Sequence, residues 1–239
     1  MTTENDTTLR AADAVFAAEQ AVSRARWVVE ELHETISSAL RVLDDAELDS
    51  AKARLSDRGS FYLKAAGEHL GRLQNRCRGM PELTRDLFGH LNHATESVTD
   101  ARALLELADT SDPVVAAEVA QIKPRIAIVG EMVALAKPVA QLAAQHVESA
   151  HAAAGQATPA SLLEPVTLER SIATAGKELN RADEDVRLLS DVVDHAAASA
   201  RESTGIATEI TDNARRRMAE HGRDPVSSSA APAPSGPAR

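Results

Sequence analysis

Aromatic side chains are almost missing from this sequence: one Trp, one Tyr and three Phe among 239 residues. A globular core normally takes much of its bulk from such rings, and five scattered aromatics are too few for a base-stacking nucleic-acid platform. Cysteine is scarcer still. Cys77 stands alone, so an intrachain disulfide and a thiolate metal cluster are both excluded. There is no excess of positive charge; the formal net charge of −10 argues against general affinity for nucleic acid or an anionic membrane. No uninterrupted apolar run approaches the roughly 20 residues that span a bilayer, and no integral membrane segment is expected. The opening MTTENDTTLR lacks the basic and apolar regions of a signal peptide, which makes the cytoplasm the default compartment.

What the sequence has is alanine, aliphatic residues and charge, arranged with a seven-residue period. Val15, Val22, Val29, Ile36 and Leu43 recur every seventh position, and Ala18, Ala25, Leu32, Ala39 and Ala46 follow three residues behind. These are the a and d positions of a helix that packs on other helices. Position g (Ala14, Ala21, Val28, Val42) is also mostly apolar, which widens the stripe toward that of a bundle. After Leu43 the phase fails through an acidic stretch, so a break or hinge is placed at 44–60. A new phase runs through Leu63, Ala66, Leu70, Leu73 and Cys77, and Gly79 with Pro81 ends that helix and starts the next. The third segment repeats through Leu87, Leu91, Ala94, Val98, Ala101, Leu105 and Ala108. Asp112 reads as the N-cap of the fourth, with Pro113 in its first turn.

RIAIVG, Arg125 to Gly130, looks in isolation like a buried strand entering a glycine loop. A phosphate-binding loop would need Gly and Lys where Leu135 and Ala136 stand. The run Val115, Val119, Ile122, Ile126, Val129, Val133, Ala136, Ala140, Ala143, Val147, Ala150 keeps an unbroken 4-3 spacing, so the segment is helix. Pro124 and Pro138 fall at outer position f, where each should kink it; a complete break at Pro124 is the alternative. Ser161 to Glu164 forms a capping-box pattern before a last long helix from Leu168 to Ala214. The fold expected is all-α: an elongated antiparallel helical bundle or coiled coil of four to five long helices. It occupies residues 7–222, between a disordered N-terminus at 1–6 and a disordered Pro/Ala/Ser-rich tail at 223–239.

Two Glu-x-x-His pairs, Glu30/His33 and Glu148/His151, have the spacing of bundle metal ligands, which must project inward. Phase places both glutamates at b and both histidines at e, and no histidine takes an a or d position. His90, His93 and Glu96 rotate away from the core. No metal site and no cofactor is therefore expected. Cys77, at an a position, reads as a small hydrophobe. The carboxylates Asp183, Glu184, Asp185, Asp191 and Asp194 read as a wet helix face, and Arg215, Arg216 and Arg217 as complements to the C-terminal helix dipole.

Trp27 is the exception to these assignments. It sits at the outermost f position of the first helix, with Phe16 on a neighbouring strip at b. Either another helix of the chain covers it, or the two aromatics contact a partner. Without a catalytic constellation, the function expected is that of a non-enzymatic scaffold or adaptor binding protein partners, including further copies of itself. The alternatives are an amphipathic-helix coat on an apolar surface such as a lipid body, and a helical cargo exported without a signal. Helical-hairpin families exported in that way carry a Trp-x-Gly turn; here Val28 and Val29 follow Trp27, and that resemblance fails.

Overall fold

The computed structural model describes residues 2–108, 110–111, 113–156 and 165–221, with no strand among them. They form five helices: α1 (Thr2–Leu55), α2 (Gly59–Cys77), α3 (Met80–Leu107), α4 (Pro113–Gly155) and α5 (Pro165–His221). Residues 2–6, expected to be disordered, are part of α1. The proposed caps at Asp112 and at Ser161 to Glu164, and the tail at 223–239, lie outside the described residues.

Heptad phase sets which residues are inside. Every a and d residue of α1 from Val15 to Ala46 is buried, as are those of α4 from Val119 to Ala150 and of α5 from Leu168 to Ile210. The stripe of α1 does not end at Leu43. Ser50 is buried at the next a position, so one serine concealed a phase that the helix keeps. The break comes at residues 56–58, where the Ser56 hydroxyl accepts a hydrogen bond from the Arg58 amide at 3.1 Å. Gly59 then passes so near α1 that an added Cβ would lie 2.7 Å from the Ala53 carbonyl oxygen.

Five helices make four columns. Between α2 and α3 the chain bends without reversing: Arg78 and Gly79 both keep right-handed helical angles. Pro81 can donate no backbone hydrogen bond, and the amides of Glu82 and Leu83 both bond to the Gly79 carbonyl. The register against α4 survives the interruption. Gln74 of α2 lies beside Gly155; Glu106, thirty-two positions later, pairs with Lys123, thirty-two positions earlier. The ring runs α1, α2 with α3, α4, α5 and back to α1, each column antiparallel to its neighbours. Arg26 meets Asp194 while Arg54 meets Glu169; Glu118 meets Asn213 while His146 meets Glu178. This is an up-down-up-down bundle, about 85 Å long in α5 at 1.5 Å per residue.

The same register explains how the core fills without rings. Ala136, Ala140 and Ala143 of α4 stand level with Leu87 and Leu91 of α3, all fully buried. Small residues on one column meet large ones on the next, so the helices approach closely and interior density is kept.

α4 is continuous through both prolines, and the break at Pro124 does not occur. Each proline deprives the carbonyl four residues back of its donor. Ala120 and Ala134, the residues so affected, are exposed like the prolines themselves, so water can satisfy those carbonyls.

Candidate functional site

Trp27 is 63% exposed, so no other helix among the described residues covers it. Phe16, by contrast, is half-buried and packs against the core. The pair divides: Phe16 is a flank residue of the bundle, Trp27 a surface one. Trp27 shares its outer line with Leu48 and Leu55, three and four heptads further along α1, and both leucines are exposed. A second apolar line runs along the outside of α4 through Ala134, Leu135, Pro138 and Leu142, all exposed. α4 is also, among the described residues, the one helix long and apolar enough by composition to cross a membrane, with a third of that apolar stretch buried.

Where the last turns of α1 meet the first of α5 there is an open groove of about 690 Å³, lined by Ser50, Ala51, Leu55, Val166 and Ile172 among others. The Arg54 guanidinium grips the Glu169 carboxylate through both oxygens across it. Among the described polar residues lining it, only Ser50 is buried, so the groove presents apolar surface without a convergent set of reactive groups.

The Glu-x-x-His pairs do not converge. Glu30 is exposed, with Arg26 at 3.4 Å; Glu148 is exposed and His151 half-buried on α4. α1 and α4 occupy diagonal columns, so His33 and His151 face different seams. His93 and Glu96 are exposed on α3. Among the described residues no three histidine, cysteine or acidic side chains are grouped to hold a metal. Cys77 is buried, and desolvation pushes its thiol up to about 11, well outside the range of a thiolate nucleophile. Arg215 and Arg216 are exposed on α5.

The acidic run on α5 is not one wet face. Glu184, Asp191 and Asp194 are exposed, but Asp183 is 6% exposed. One Asp183 oxygen holds Arg187 at 2.6 Å and the other has His33 of α1 at 3.4 Å. Asp185, two residues on, turns to the opposite seam, toward His146 of α4. Burial holds its carboxyl above the ordinary aspartate range, with Glu184 adding to the rise and His146 opposing it. Across the α1–α2 seam His69 lies 3.6 Å from Asp49. These histidine–carboxylate pairs are what sequence reasoning missed. The visible signal was the placement of histidines and acids at e, g and rim positions, where neighbouring columns meet.

A further polar pair joins α4 to α5. Glu118, buried near the start of α4, accepts a hydrogen bond from the Asn213 amide at 2.9 Å.

No protein-family model matches the chain, and no curated protein sequence does so.

Proposed function

We propose that the chain is a non-enzymatic helical scaffold or adaptor of the cytoplasm, acting through protein–protein contacts that include self-association. The observation that carries this reading is Trp27, a large ring held 63% exposed on the outermost line of α1 with Leu48 and Leu55 along the same line. A few anchors supply most of the energy of protein interfaces, and tryptophan is enriched among them. The titratable side chains support the non-enzymatic part: those in the seams pair with one another instead of converging on a cleft. Light scattering across a wide concentration range, with Trp27 emission followed in parallel, tests it. Association that shifts the emission to the blue and is weakened in Trp27→Ala supports the reading. A monomer at every concentration, with emission that no helical-protein partner alters, sinks it.

The outer line of α4 favours a second reading, a coat on an apolar surface. Leu135 and Leu142 are exposed on a helix of otherwise apolar composition. Flotation with neutral lipid vesicles, lost in a Leu135→Glu/Leu142→Glu variant, would select this reading over the first.

A further inference from the structure

α4 and α5 lie side by side, yet their outward faces differ in chemistry. On α5 the exposed positions turned from the core include Arg181, Glu184, Arg187, Asp191 and Asp194, as expected of a helix against water. On α4, of the b, c and f positions from Ala117 to Gln145, Glu131 alone is charged. Leu135 and Leu142 are 54% and 48% exposed there, with Ala134 and Pro138 exposed beside them. Leu188 of α5 extends this surface across the seam. It is exposed and, by the register of His146–Glu178 and Arg125–Glu202, stands level with Lys137 and Pro138.

The charges on and beside this face are unanswered within the chain. Lys123 and Arg125 are held by Glu106 and Glu202, but Glu131, and Lys137 on the flank, have no ion-pair partner among the described residues. Their spacing identifies an occupant. Glu131 stands three residues before Ala134 and Lys137 three residues after it. A second α4 laid antiparallel, with the two Ala134 residues facing across a two-fold axis, brings the Glu131 of each copy level with the Lys137 of the other. Both pairs form at once, because an isologous contact repeats every interaction. The methyl side chains of Ala127 and Ala134 let two such helices approach closely. A lipid surface would give neither charge a partner at a fixed place.

The area agrees with this occupant. From Ala120 to Gln145 the face runs about 38 Å at 1.5 Å per residue, and with the Leu188 row it is about 20 Å wide, two helices at their usual spacing. That is about 750 Å² per copy, near the roughly 800 Å² per partner of a standard stable interface.

We propose that this face docks a second copy of the chain, α4 against α4 and antiparallel about Ala134, with Glu131 and Lys137 forming reciprocal ion pairs. The inference rests on the self-association reading and gives it a surface. α1 is diagonal to α4, so Trp27 stays uncovered in such a dimer.

Sedimentation equilibrium of the full chain and its charge variants tests the arrangement. The wild-type chain should form a reversible dimer. Glu131→Lys and Lys137→Glu should each raise the dissociation constant about tenfold, as two attractive pairs become two repulsive ones. An equimolar mixture of those two variants should recover wild-type association, because in the mixed dimer every lysine again meets a glutamate. Ala134→Cys should cross-link to its twin under mild oxidation, with Cys77 buried and not competing. Ala120→Cys should not, since its twins would stand about 42 Å apart. Absence of recovery in the mixture, or equal cross-linking at the two positions, would overturn the proposal. So would a wild-type monomer that floats with neutral lipid vesicles, which assigns the face to a coat. Association lost in Trp27→Ala but indifferent to both charge variants would remove this surface and leave the scaffold reading standing.

Discussion

Arg102 of α3 lies over Gly130 of α4, its Nη2 donating to the Ala127 carbonyl at 2.9 Å. A Cβ at Gly130 would stand 2.8 Å from that nitrogen and 3.0 Å from a Val98 methyl. The glycine inside RIAIVG therefore makes room for a neighbouring column; it does not cradle a phosphate. Gly130→Leu should destabilise by about 1–3 kcal/mol through overpacking. In an Arg102→Ala background the same Gly130→Leu substitution should cost less, the Val98 methyl being the contact that remains. A double-mutant cycle in denaturant measures the coupling.

Pro124 and Pro138 are exposed, as are Ala120 and Ala134, whose carbonyls they leave without a helical donor. Replacing either with alanine restores one backbone hydrogen bond without disturbing the stripe. Each change should raise the denaturant midpoint, the unfolding free energy growing by up to about 3 kcal/mol if the helix can straighten against its neighbours. A lower midpoint would mean that the core is shaped to bent helices.

The buried thiol of Cys77 makes a pH prediction. Its folded value, about 11, is raised above the ordinary 9.0, so the fold favours the neutral form. The associated stability is fully present below pH 9 and is lost as pH climbs from 9 toward 11, where the unfolded thiol ionises first. Alkylation at pH 8 should track unfolding, with labelling slow in water and fast in denaturant. Cys77→Ser should flatten the alkaline loss and lower stability by about 1–3 kcal/mol at neutral pH, through burial of a hydroxyl.

Trp27 is a built-in reporter. At 63% exposure its emission should be red-shifted in the isolated chain and readily quenched by acrylamide. Trp27→Ala should change stability by no more than about 0.5 kcal/mol, as expected for a surface position. A larger loss would show that the ring supports the bundle.

The residues that were legible in the sequence are those governed by one helix's own period. Val15 to Leu43, and the 4-3 run from Val115 to Ala150, could be phased because burial repeats along a single axis. Ser50 broke the pattern in letters but not in space, since a serine is small enough to sit in an alanine-rich seam. Phase fixes a direction from each helix axis but not the register between helices, so His146 could be placed at a rim without naming Glu178 or Asp185 opposite it. For the same reason the acids of α5 looked like one wet face, although Asp183 and Asp185 turn into separate seams. Gly79 and Pro81 correctly mark an interruption, but the same letters serve a reversal or a bend, and only contacts with α1 and α4 distinguish them.

α5 packs on both α1 and α4, and of the five helices it is made last. Until it emerges, the other three columns can form only an open trough, with Leu32, Ile36, Ile122 and Ile126 uncovered along its floor. At about 5–20 residues per second, the 57 residues of α5 take about 3–11 s to synthesise. The ribosome thus leaves this chain unsealed for seconds with three-quarters of its core already made, a period in which a chaperone or a second nascent copy could occupy the place of the missing stave.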